Sequence, residues 1–155
     1  MRAFVLGVVL AVGCGGASVP PPEEPEEEEE EEGPIVAVTL RFEEAPSDEA
    51  TDTPHTRVVL VQIAPDEGRS TAEVGTFAGV CQHIAPDVGA VLAARCWWAG
   101  FGARVTVLRE GDDLVAYGVR LDEHAPASDP EEAARMTLPE NARLDPILPA
   151  TLRGQ

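Results

Sequence analysis

Between residues 35 and 43 a large apolar side chain recurs at every second position from Val36 to Phe42, and polar ones alternate with them from Thr39 onward. Val36, Val38, Leu40 and Phe42 fall on one face, and Thr39, Arg41 and Glu43 on the other. A period of two is the signature of a strand buried on one side. Residues 57–63, Arg-Val-Val-Leu-Val-Gln-Ile, are instead a near-continuous apolar and β-branched run. Such a run suits a strand in the middle of a sheet, covered on both faces. A polar loop rich in Pro, Asp and Thr, residues 44–56, separates the two, and Ala64-Pro65-Asp66-Glu67-Gly68 closes the second with strong turn chemistry.

The pattern continues in short extended units. Residues 71–84 read as one further strand, with Phe77, Cys81 and His83 on a face where Gly75 and Gly79 leave room for a bulky neighbour. Residues 90–98 fit two periods: Asp87 can cap a helix there, but the following Cys96-Trp97-Trp98 and the glycine-rich turn at 99–102 favour a strand. Residues 103–108 and 114–121 form the clearest hairpin, joined by Glu110-Gly111-Asp112-Asp113. Ser128-Asp129-Pro130-Glu131-Glu132 reads as a helix start running to Met136, with a cap, a proline in the first turn and acids near the positive end of the dipole; Pro139 stops it. The tail, with Pro146 and Pro149, reads as irregular. The expected fold is mainly β: five or six short strands, mostly antiparallel, with one short C-terminal helix. A small barrel and a sandwich satisfy this pattern equally.

A different pattern occupies the N-terminus. Residues 3–12 are apolar, broken only by Gly7 and preceded by Arg2. Ten helical residues cover about 15 Å, half of a bilayer core, which suits the h-region of an export signal rather than a permanent span. Ala11-Val12-Gly13-Cys14 resembles the lipobox of bacterial lipoproteins, although Ala11 stands where leucine is commonest. The resemblance implies cleavage before Cys14, a diacylglyceryl thioether on its sulfur and acylation of the new amine. Several acyl chains give stable anchoring where one gives only marginal binding. Gly15 rather than Asp follows the cysteine; in this class that implies the outer membrane rather than the inner. The chain therefore divides into a signal peptide at 1–13, a lipidated cysteine with a tether at 14–34, and one soluble domain at 35–155.

Charge changes the picture of the tether. Residues 23–32 are glutamate at nine of ten positions, after Pro20-Pro21-Pro22. Nothing there can bury apolar surface and like charges repel, so the segment is expected to be disordered and extended. At about 3.1 Å per residue it can hold the domain up to roughly 60 Å from the lipid. The whole chain carries −17, from 28 acidic residues against 11 basic ones. Nine acids lie in the run and one arginine in the leader, so 19 acids against ten arginines leave the domain near −9. Nucleic acid is excluded as a partner on that balance, and basic partners are favoured. All eleven basic residues are arginine. Without lysine there is no P-loop and no Schiff-base chemistry.

Candidate chemistry is sparse. With Cys14 taken by lipid, Cys81 and Cys96 remain, and in an exported chain they are expected to pair. A metal site using Cys81, His83 and Cys96 is the competing reading, but it lacks an obvious fourth ligand. The four serines occupy linkers, a turn and the Ser128 cap, without nucleophile context. His55, His83 and His124 are widely spaced, and Asp122-Glu123-His124 reads as solvated surface. No metal, cofactor or catalytic residue is expected. Trp97-Trp98 is the one pair singled out for ligand binding. Neighbours on a strand point to opposite faces, so if one ring fills the core beside the disulfide, the other is either exposed, where it can stack on a sugar or anchor a partner, or covered by the C-terminal segment. The expected function is a membrane-anchored, non-enzymatic envelope lipoprotein acting as an interaction or structural module. A small ligand- or glycan-binding module using an exposed tryptophan is the second reading.

Overall fold

A computed structural model of the protein describes residues 32–47 and 49–153. The signal peptide, Cys14 and nearly all of the glutamate-rich segment lie outside the described residues. The remainder is built from nine strands: β1 (Ile35–Ala45), β2 (His55–Ala64), β3 (Gly68–Ala78), β4 (Val80–Ile84), β5 (Ala90–Trp98), β6 (Phe101–Glu110), β7 (Asp113–Asp122), β8 (Glu131–Thr137) and β9 (Arg143–Pro146). They form a four-stranded sheet in the order β3-β2-β1-β9 and a five-stranded sheet in the order β4-β5-β6-β7-β8. Each sheet has two free edges, so the barrel expectation falls and the sandwich remains.

The alternation along β1 places Val36, Val38 and Leu40 in the core. They meet Leu92, Ala94, Val105, Val107 and Leu114 from the second sheet. As its composition implies, β2 lies between β1 and β3, and Val58, Val59, Leu60 and Val61 are all buried. Its exit turn pairs Ala64 with Gly68 around three residues, with Gly68 at φ 75°. That is the left-handed position such a hairpin demands. The β6–β7 hairpin closes more tightly than the loop of four suggests: Glu110 pairs with Asp113, leaving Gly111 (φ 60°) and Asp112 as the turn.

Three expectations are corrected. Residues 71–84 are two strands in different sheets, not one. The chain leaves the first sheet at Gly79, where φ is 104° and an added Cβ would lie 2.5 Å from the Trp97 backbone. The Gly79 N–H donates to the Pro54 carbonyl at 2.7 Å, and the Thr56 hydroxyl donates to the Gly79 carbonyl at 2.7 Å. Both backbone groups at this corner are thereby satisfied, as burial requires.

The expected helix ending at Met136 is also overturned. Residues 131–137 are strand β8, paired antiparallel with β7. Ser128 caps no helix: its Oγ accepts the Arg120 N–H at 2.8 Å. The free edge of β7 offers a row of backbone partners that a helix would leave unpaired. The alternation of Ala134 and Met136 toward the core with Arg135 outward completes the strand. The sole helical element among the described residues is a single 3-10 turn at Ala150–Leu152.

Finally, the tail expected to be irregular contains β9, which pairs in parallel with β1, from Ile35 opposite Arg143 to Val38 opposite Pro146. A proline is compatible with this place because β9 is an edge strand.

Candidate functional site

Residues 90–98 are strand, as the turn after them implies, and they place both tryptophans. Cys96 points into the core, so by alternation Trp97 points to the outer face of the second sheet and Trp98 to its inner side. Trp97 is half-buried on that outer face, with the Arg95 guanidinium 4.5 Å above its ring. Neither ring fills the core. Trp98 is 41% exposed.

The reason Trp98 stays exposed is register. Across the second sheet, Trp98 pairs with Phe101 and Phe101 with Asp122; one rung inward, Cys96 pairs with Ala103 and Ala103 with Arg120; the next rung is Ala94, Val105 and Gly118. The first sheet covers the inner rungs. At its end, Phe77 lies against Gly75 and Gly118, 3.2 and 4.0 Å from where their Cβ atoms would be. Of the two glycines expected to admit a bulky neighbour, Gly75 admits a ring from its own strand, and Gly79 instead lies against the Trp97 backbone. Beyond Phe77, Trp98, Phe101, Arg120 and Asp122 are all exposed. They form a shelf, aromatic on the β5–β6 side and charged on β7.

Trp98 and Phe101 flank a two-residue turn, Ala99-Gly100, with φ 46° and 93°. Positive φ at both positions is the I′ geometry whose twist matches its strands, and it holds the two side chains opposite one another on one face. Phe101 is also 41% exposed.

Two cavities adjoin this shelf, the first at Phe101, Arg120 and Asp122 and the second at Arg120, and Trp98 stands outside the lining of both. One, of about 410 Å³, is lined by Phe101, Arg120, Asp122, Pro126 and Ser128 among others. The other, of about 430 Å³, lies between β3 and the β7–β8 pair, and its lining includes Phe77, Gly118, Arg120, Ser128, Glu131 and Glu132. Arg120 and Ser128 belong to both. Ser128 is held there by backbone: its N–H donates to the Arg120 carbonyl at 3.1 Å while its Oγ takes the Arg120 N–H. Asp122 Oδ1 accepts the His124 N–H at 2.8 Å. No imidazole among the described residues is bonded to Ser128, whose hydroxyl donates to the Asp129 carbonyl at 3.3 Å.

The other sequence candidates are dispersed. Cys81 and Cys96 face each other across β4 and β5 with Cα atoms 3.9 Å apart and form a disulfide. Their sulfurs are bonded to each other, which removes both from any metal site with His83. His83 sits inward on β4 with its ring centroid 4.7 Å from that of Phe42. Burial holds its imidazole below the ordinary value of 6.5, partly offset by a hydrogen bond with the Leu40 backbone. His124 is 85% exposed beside Glu123, in keeping with a solvated surface run. Phe101 and Arg120 were not singled out by the sequence, and Ser128 was singled out only as a helix cap. For Phe101 a signal existed: two residues separate it from Trp98, and a tight hairpin there makes them partners.

Comparison of the chain with protein-family models, with curated proteins and with solved structures returns no match.

Proposed function

We propose that the protein is a lipid-anchored lipoprotein of the bacterial cell envelope whose β-sandwich is a non-catalytic interaction module. In this reading the thioether at Cys14 fixes the chain to a membrane, most readily the outer one, and the glutamate-rich segment holds the sandwich off the lipid. The module contacts its partner through the Trp98–Phe101 shelf. The observation that carries the binding part is this pair, side by side and each 41% exposed. Large aromatic rings left uncovered at the end of a packed sheet are what interaction sites are enriched in. Two measurements test the reading. Cys14→Ala is expected to move the protein from the detergent phase to the aqueous phase in phase separation, and unchanged partition overturns the anchor. A photocrosslinker at position 98 in the native envelope is expected to give a defined adduct that the same group at position 66, on the β2–β3 turn, does not; equal products from both positions overturn the shelf as the contact surface.

The second reading, a small-ligand or glycan module, is favoured by the cavities beside the shelf, each within the range of about 300–1,000 Å³ typical of ligand sites.

A further inference from the structure

We infer that the groove running from the Trp98–Phe101 shelf past Arg120 and Ser128 takes an uncharged, unbranched saccharide chain. This rests on the binding-module reading and gives the module its ligand class. The aromatic pair supplies flat apolar surface open to solvent. Such surface matches the C–H face of a pyranose ring, which is apolar although its rim is hydroxylated. Beside it stand groups of both hydrogen-bonding senses. The Arg120 guanidinium has no ion-pair or hydrogen-bond partner among the described residues, and all five of its N–H donors are available. Asp122 keeps one carboxylate oxygen beyond the bond to His124. A hydroxyl both donates and accepts, so a donor and an acceptor on neighbouring rungs suit it, whereas a simple ion needs only one.

Charge narrows the class. The two cavities are lined by one guanidinium against the carboxylates of Asp122, Glu131 and Glu132, in a chain of net charge −17. A polyanion is repelled by that rim. A polycation would have to run across Arg120, which both cavities share. Shape gives the extension: the cavities share Arg120 and Ser128 in their linings, and the second is lined by another ring, Phe77. A chain of sugars, rather than one, spans that path.

The test uses the full exported protein in a detergent without sugar headgroups. Cellotetraose and chitotetraose are titrated by tryptophan fluorescence and calorimetry, with oligogalacturonate and oligolysine as charged probes. At least one neutral tetrasaccharide is expected to bind saturably and to shift the fluorescence. Phe101→Ala and Arg120→Gln are each expected to weaken that binding roughly tenfold, the loss typical of an anchoring contact. Trp97→Phe, on the opposite face, leaves binding unchanged and assigns the signal to Trp98. Arg120 is exposed, so the glutamine variant keeps the test decisive even if Phe101→Ala unfolds. Absence of binding by both neutral probes, tighter binding of either charged probe, or wild-type affinity in the Arg120→Gln variant overturns the inference. A position-98 crosslink to an envelope protein without saccharide binding removes the saccharide and leaves the module reading standing; loss of both removes both.

Discussion

His83 is the residue whose chemistry departs most from what its place in the sequence implies. By period alone it joins Phe77 and Cys81 on one face of a strand, and that face is inward. Its Nδ1 is buried without a hydrogen-bond partner, and the ring leans on Phe42. Burial therefore lowers its proton affinity in the fold below that of the unfolded chain. The unfolded state binds the proton first as pH falls, so the fold loses stability from about 6.5 downward and is unaffected above it. His83→Phe, which keeps an apolar ring against Phe42, is expected to flatten this part of the dependence. The check is the urea midpoint of both proteins at about pH 7.5 and pH 5. A wild-type protein that loses no more than the variant over that interval contradicts the burial of a neutral imidazole. Sequence reasoning reached the face on which His83 lies but not its partners, because Phe42 is 41 residues away and belongs to the other sheet.

At the level of elements, turns were legible and strand partners were not. Gly68 and Gly111 announce their hairpins through positive φ values that other residues adopt at a cost, and Pro65 announces its turn through a φ that its ring fixes in advance. The β5–β6 turn is less well adapted, since Ala99 occupies a left-handed position at φ 46°. A Cβ there costs on the order of 1–2 kcal/mol, and asparagine tolerates the position better. Ala99→Asn is expected to raise stability by roughly 1 kcal/mol and to leave the Trp98–Phe101 pairing in place. Urea denaturation reads the gain, and an unchanged or lower midpoint argues against a type I′ turn. Residues 128–136 teach the opposite lesson. Ser128, Pro130 and two glutamates are good helix-start chemistry, yet their preference is worth only a few kcal/mol in total. The unpaired edge of β7 and the inward places for Ala134 and Met136 outweigh it. β9 was missed for a related reason: four residues ending in Pro146 carry no period of their own and become a strand only because β1 lies alongside.

For the whole molecule, the disulfide is the covalent link that holds an edge strand to its sheet. β4 has five residues and one hydrogen-bonded neighbour, β5. Closing the 15-residue separation between Cys81 and Cys96 is worth about 3 kcal/mol in the chain-entropy model. Neither cysteine is expected to react with a thiol reagent before reductant is added. Replacing both by alanine is expected to lower stability by about 3 kcal/mol, with amide exchange rising first in β4. Full alkylation of the native protein without reductant contradicts the bridge.

What the amino-acid order determined without help is local: the alternation that makes strands, the glycines that bend them, the pairing of the two domain cysteines and the acidic balance. Each of these depends on neighbours within a few residues or on simple counts. Tertiary structure alone decided that there are two open sheets, that the chain crosses between them at Gly79, that 131–137 is strand, and that β3 stops at Ala78, one residue past Phe77. It is this last mismatch that leaves Trp98, Phe101 and Arg120 uncovered, because the register of three strands carries them past the last ring that packs above them.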